Sequence, residues 1–190
     1  SAEEALKQIE LPVEKQLHDA HIQFTSIPNK VTIRDLRSNH LLKFIAVEGM
    51  IRKATEVRPK ITNAAFYCMR CETVNYVPQS GPKFVEPGEC EEESCGKRGP
   101  FKLLIDKSNF IDAQKLQVQE SPESLKGGSQ PQSIDVDAED ELAGIVKPGD
   151  RVVVNGILRS HQRTTREGKS TFYDLVLHCN SIEYLDQEFD

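Results

Sequence analysis

The sequence predicts a mainly β protein: a closed or partly closed barrel of short strands, interrupted by a small ribbon held by four cysteines and preceded by a short helical segment. Three observations lead there. Strand-like runs divided by turn residues recur along most of the chain, and only one short segment among them carries helix signals. Cys68-x₂-Cys71 is followed, after eighteen residues, by Cys90-x₄-Cys95. A chain of 190 residues is long enough for one substantial core plus a small satellite held by metal.

Leu6, Ile9, Val13 and Leu17 recur at three- and four-residue steps, giving an amphipathic face that Pro12 interrupts. We read residues 1–21 as a short helix, a break, and then either a second helical turn or extended chain, with the apolar stripe as packing surface. The pattern then turns extended at 22–24, turns at Pro28-Asn29, and makes a single helical turn over 32–36. A strand covers 41–51, with Gly49 as a bulge or bend. Strands at 64–67 and 101–105 flank the cysteine-rich insert, so the ribbon, 65–101, interrupts a sheet. Further strands are expected at 109–119, 132–136, 151–159 and 171–185, which assigns 22–64 and 102–190 to the barrel. A helix is expected over 139–146, with Asp137 as N-cap and Pro148-Gly149 after its end. Residues 120–131 read as a polar, turn-rich loop, either plain surface or an interaction loop.

A C-x₂-C pair places two thiolates one tetrahedral edge apart, and a second short-spaced pair closes the other edge. Cys68, Cys71, Cys90 and Cys95 are therefore candidate ligands of a structural zinc. Disulfides or a redox dithiol are the other readings. Zinc is preferred because Cys179 is left over, no secretory segment is evident and the intervening stretch is rich in turn formers (Pro78, Gly81, Pro82, Pro87, Gly88). Four thiolates leave no open coordination position, so such a metal folds the ribbon and activates no water.

The net charge of −6 taken alone argues against nucleic acid, but the charge is segregated. Between Arg34 and Lys60 seven Lys/Arg face three Asp/Glu, and between Leu158 and Ser170 four face one; the acids crowd the ribbon and the stretch from Asp112 to Leu142. No apolar run approaches membrane-spanning length, and the cysteine usage fits a reducing compartment.

Motifs for catalysis fail on inspection. Gly168-Lys169-Ser170 resembles the end of a phosphate-binding loop, but the glycine required five residues earlier is Arg163 and a strand follows where a helix should open. No H-E-x-x-H or G-x-S-x-G pattern occurs; His18 and His21 lack identifiable ligand partners, and Cys179 reads as a small buried hydrophobe. The stretch 158–175 reads instead as a long β-hairpin turning at Glu167-Gly168. It carries Arg159, Arg163, Arg166 and Lys169 with few apolar residues near its tip. This is either a solvated hairpin or a nucleic-acid finger; the second basic stretch, Arg52, Lys53, Arg58 and Lys60, favours the finger. Aromatics are sparse, so backbone-dominated contact with weak sequence preference is expected.

With these pieces in order, residues 22–185 resemble the N-terminal region of a minichromosome maintenance (MCM) replicative DNA helicase, most closely the archaeal members. The resemblance rests on Val31-Thr32-Ile33-Arg34-Asp35-Leu36, on Ile45-Ala46-Val47-Glu48-Gly49-Met50-Ile51, and on Glu56-Val57-Arg58-Pro59 before the ribbon. It continues in Leu116-Gln117-Val118-Gln119-Glu120-Ser121-Pro122-Glu123, Gly127-Gly128, Val146-Lys147-Pro148-Gly149-Asp150-Arg151-Val152 and Gly156-Ile157-Leu158-Arg159. It implies an OB-fold barrel carrying the zinc ribbon, in a homohexamer or double hexamer around DNA, preferentially single-stranded, in an archaeal-type cytoplasm near the nucleoid. The hairpin would project into the channel, and the loop opening at Gln119 and Glu120 would carry signals between subunits. ATP would belong to a separate ATPase domain not seen in this sequence, so the chain by itself is expected not to be an enzyme. The helical domain before the barrel is represented at most by residues 2–20.

Overall fold

The computed structural model describes residues 29–125 and 127–185; the expectations for residues 1–21, for the strand at 22–24 and for His18 and His21 fall outside them. The strands are β1 (Phe44–Ala54), β2 (Arg58–Cys68), β3 (Val74–Pro78), β4 (Phe101–Gln119), β5 (Ser133–Glu139), β6 (Arg151–Thr165) and β7 (Gly168–Tyr184). The chain divides into two compact units: residues 57–113 form one, and the residues on either side form the other.

In the flanking unit, β1 runs antiparallel to β6 from Phe44↔Ile157 to Met50↔Arg151, and β6 to β7. β7 lies parallel to β5 through Asp135↔Val176 and Asp137↔His178, and β5 lies beside β4. The end of β4 then returns to β1, from Met50↔Gln119 to Ala54↔Leu116. These five strands close on themselves in the order β1-β6-β7-β5-β4, the connectivity of an OB-fold. Closure removes the sheet edges and encloses Val47, Ile51, Leu116, Val118, Val136, Val152, Val154, Leu158 and Leu177. The expected turn at 32–36 is a 3-10 turn, Ile33–Asp35, and it delivers Ile33 and Leu36 to that core. Cys179 packs there too, and burial pushes its thiol up to about 12, so it is an inert hydrophobe. No described helix is long and apolar enough to cross a membrane.

Three local expectations are corrected. The helix over 139–146 is only a 3-10 turn, Asp140–Leu142, and Asp137 is paired within β5 rather than capping. Asp140 (φ 58°) and Gly144 (φ 81°) take left-handed conformations that break an α-helix, while the Gly144 N–H donates to Oε1 of Gln114. Leu142 and Val146 still reach the core from this segment. Gly49 is not bulged: it pairs regularly with Val152, and it is glycine because a Cβ would stand 2.4 Å from the Gln119 carbonyl oxygen. The bulge falls at Arg52, between the pairs Ile51↔Val118 and Lys53↔Gln117. Finally, the strands expected at 101–105 and 109–119 are one strand, β4, with a wide irregularity opposite β2. There the Ser108 hydroxyl accepts from the Ala65 N–H (2.9 Å) and donates to the Leu104 carbonyl (2.7 Å), so a polar run that reads as a turn is spanned by one side chain.

Within residues 57–113, β2 pairs with β3 (Asn63↔Pro78 to Tyr67↔Val74) and with the first part of β4 (Cys68↔Phe101 to Arg58↔Ala113). Ala64, Ala65 and Phe66 are buried, and Phe66 meets the Phe84 ring at 5.7 Å between centroids. So small an apolar centre is a weak basis for folding alone.

Candidate metal centre and nucleic-acid interface

The end of β2 and the loop after it bring Cys68 and Cys71 to the same place as Cys90 and Cys95. All four sulfurs lie within 4.8 Å of one another. Cys68 Sγ is 3.9 Å from Cys95 Sγ, and Cys71 Sγ is 3.5 Å from Cys90 Sγ. Sulfurs about 2.3 Å from a tetrahedral zinc stand about 3.8 Å apart, whereas a disulfide needs about 2.05 Å. The separations fit one shared ion, and all four cysteines are free thiols.

Tight turns build the two knuckles. The Glu72 N–H returns to the Cys68 carbonyl (2.9 Å) with Glu72 at φ 68°, and the Gly96 N–H returns to the Glu92 carbonyl (3.0 Å) with Gly96 at φ 53°. Hydrogen bonds from the hydroxyl and amide of Thr73 lower the Cys71 thiol to about 6. The Lys97 amide works in the same direction on Cys95, but desolvation and the crowding of Cys71, Cys68 and Cys90 outweigh it and push Cys95 up to about 11. Four sulfurs this close cannot all ionise unless a cation neutralises them, and a bound divalent metal supplies that charge. Sequence reading missed Asn75, which is fully buried on β3. Its Nδ2 donates to Cys90 Sγ (3.6 Å) and its Oδ1 accepts from the Glu91 N–H (2.7 Å), so one side chain orients the second knuckle and its ligand. A buried Asn inside a strand is the available signal, since strands disfavour it.

The basic residues fall into separate groups. On β1, the bulge at Arg52 breaks the two-residue alternation, so Arg52 and Lys53 are both exposed although adjacent. Arg58 and Lys60 lie on β2, in the unit of residues 57–113. The hairpin of β6 and β7 is longer than expected and turns at Arg166-Glu167, with Gly168 at φ 123°. Arg159, Arg166 and Lys169 are exposed on it. Arg163 is exposed but engaged: its guanidinium holds the Asp174 carboxylate at 2.7 and 2.8 Å, which lowers that carboxyl below its ordinary value.

Gln119 ends β4, paired with Met50. Glu120, next in sequence, is buried, and its carboxylate accepts from Arg34 Nε (2.9 Å), Nη2 (2.6 Å) and the Arg34 N–H (3.1 Å). The Glu120 N–H donates to the Gln132 carbonyl (2.9 Å), which pinches the base of the 120–132 loop.

A five-stranded OB barrel with a ribbon inserted in its first connection and a basic hairpin as its last matches a known family. Residues 32–162 match the family described as MCM OB domain. The chain belongs to this family. It is 29% identical over 189 residues to the minichromosome maintenance protein MCM of Saccharolobus solfataricus, covering 96% of the chain and 27% of that protein. It is 31% identical over 137 residues to DNA replication licensing factor mcm6 of Schizosaccharomyces pombe, covering 72% of the chain and 15% of that protein. The chain thus spans about a quarter or less of these relatives. Its fold resembles the 1.8 Å crystal structure of the N-terminal domain of an archaeal MCM, with TM-score 0.75, 35% identity, and coverage of 97% of this chain and 74% of that one. The region in common is an MCM N-terminal OB domain rather than a catalytic domain.

Proposed function

We propose that this MCM OB domain is the DNA-binding, ring-organising module of a replicative helicase, held in part by a structural zinc. The observation that carries the reading is the β6–β7 hairpin, a long two-stranded projection of the barrel with Arg159, Arg166 and Lys169 exposed. In OB-folds the connections corresponding to the insert and the hairpin flank the strand-binding face, and exposed guanidinium groups suit phosphate oxygens. Arg52 and Lys53, with Arg58 and Lys60, are the second set of proposed phosphate contacts, and single-stranded DNA is the proposed ligand. Zinc is the proposed metal because a closed set of four thiolates selects it among common divalent ions. Gln119 and Glu120 are proposed to transmit changes in the 120–132 loop to neighbouring subunits of a hexamer or double hexamer. ATP hydrolysis belongs, in this reading, to another part of the full-length helicase, working on chromosomal DNA in the cytoplasm of an archaeal-type cell.

A second reading, a zinc-stabilised module that binds protein and no DNA, draws support from Met69, Tyr76, Phe84 and Val85, all exposed in the unit of residues 57–113. Fluorescence anisotropy of a labelled oligothymidine decides between them. Wild type is expected to bind, more weakly as salt rises, and Arg163→Ala/Arg166→Ala/Lys169→Ala is expected to bind far less. Equal binding by both proteins moves the contact to Arg52, Lys53, Arg58 and Lys60. No binding by either favours the protein-interaction reading.

A further inference from the structure

The hairpin carries an aromatic that its charge pattern does not explain. Phe172 on β7 is 74% exposed and its neighbour Tyr173 is 55% exposed, in a chain with few aromatics. Phe172 therefore presents an uncovered ring on the paired hairpin, close in sequence to its basic residues. The backbone around it is specifically built. Between the pairs Gln162↔Tyr173 and Thr164↔Lys169, Arg163 alone stands opposite Ser170, Thr171 and Phe172, which makes a wide bulge on β7. The Phe172 N–H donates to the Ser170 hydroxyl (3.1 Å), and the Ser170 carbonyl accepts from Gln162 Nε2 (3.0 Å). Side chains thus satisfy backbone groups within the bulge, and bulges of this kind re-aim a side chain.

We infer that Phe172 is a stacking platform for one unpaired base and biases the hairpin toward single strands over duplex. The inference rests on the hairpin being the DNA contact. Charge complementarity selects the occupant: Arg159, Arg163, Arg166 and Lys169 share the hairpin with Phe172, and a single strand offers both phosphates for those cations and an open base face for the ring. A duplex keeps its base faces stacked. Phe has no hydrogen-bonding group, so the contact is indifferent to base identity.

The chain contains no tryptophan, so Phe172→Trp installs a single fluorescent reporter at the platform. It is titrated with oligothymidine and with an abasic oligomer of equal length, while anisotropy of the labelled oligomers records binding independently. Expected are quenching by oligothymidine, no quenching by the bound abasic oligomer, and roughly 5- to 150-fold weaker oligothymidine binding by Phe172→Leu, the range for loss of one base–aromatic stack. If oligothymidine binds without quenching and Phe172→Leu binds like wild type, the stacking role is overturned while the hairpin reading stands. If oligothymidine does not bind at all, both fall. If Trp emission instead varies with protein concentration in the absence of DNA, the occupant is a second copy of this chain and the inference fails.

Discussion

Arg34 grips the buried carboxylate of Glu120 with its side chain and its own backbone N–H, joining the 3-10 turn before β1 to the start of the 120–132 loop across 86 positions of sequence. Hydrogen bonding from Arg34 is the main reason this carboxyl ionises more readily than usual, and burial opposes it. A depressed folded-state value means that the pair stabilises the fold above the unfolded carboxyl's value, about 4.3, and that this contribution is lost as pH falls through the lower folded value. Glu120→Gln should cost about 1–3 kcal/mol at pH 7, in the range for a charge-assisted hydrogen bond, and thermal melts should show the gap to wild type closing as the pH is lowered below 4. A gap independent of pH would mean that the carboxylate's charge contributes nothing.

That pair also marks the limit of what was legible beforehand. Barrel strands were readable because Val152, Val154, Leu158 and Leu177 announce a core face, and the metal site was readable because its ligands are fixed by spacing and chemistry. Arg34 appeared only as one basic residue among several, since its partner is distant in sequence. Arg163 likewise read as a free cation until β7 placed Asp174 beside it. The helix expected at 139–146 failed for a different reason: its cap and stop signals, Asp137 and Pro148-Gly149, do not reveal that the backbone turns left-handed at Asp140 and Gly144, which breaks the helix to a single 3-10 turn.

Removing one metal ligand should unfold the unit of residues 57–113 more than the barrel, whose core contains none of the four clustered cysteines. Cys95→Ser is expected to lose its metal by elemental analysis and to show amide-exchange protection falling across β2 and β3 while β6 and β7 stay protected. A chelator on wild type should reproduce that pattern. Asn75→Ala should weaken metal retention by roughly 10- to 100-fold without abolishing binding, the usual consequence of removing a group that orients a ligand. Unchanged protection and metal content in Cys95→Ser would remove the structural role assigned to the site.

Barrel closure depends on two positions where no side chain fits. A Cβ on Gly49 would meet the Gln119 carbonyl oxygen at 2.4 Å, and one on Gly156 would meet the His178 carbonyl oxygen at 2.1 Å. Both obstacles are backbone and cannot rotate aside. Gly49→Ala should therefore cost about 1–3 kcal/mol, and Gly156→Ala at least as much, seen as a lower urea midpoint at unchanged slope. Gly81→Ala, which meets nothing within 4 Å, serves as the control and should shift the midpoint little.

The Arg163–Asp174 pair sets how many phosphates the hairpin can neutralise. Both side chains are substantially exposed, at 62% and 45%, so their attraction is screened and a phosphate can compete for the guanidinium. If the hairpin is the DNA contact, Asp174→Asn frees Arg163 without removing a cation. Its binding to oligothymidine should tighten, and the slope of log K against log salt should steepen by about 0.7, the contribution of one added phosphate contact on a single strand. Arg163→Ala should move the slope by less than Arg166→Ala or Lys169→Ala, because the latter two are exposed while Arg163 already has a carboxylate. Equal slopes for all three single variants would mean that DNA displaces Asp174 completely, and Asp174→Asn would then change affinity without changing the slope.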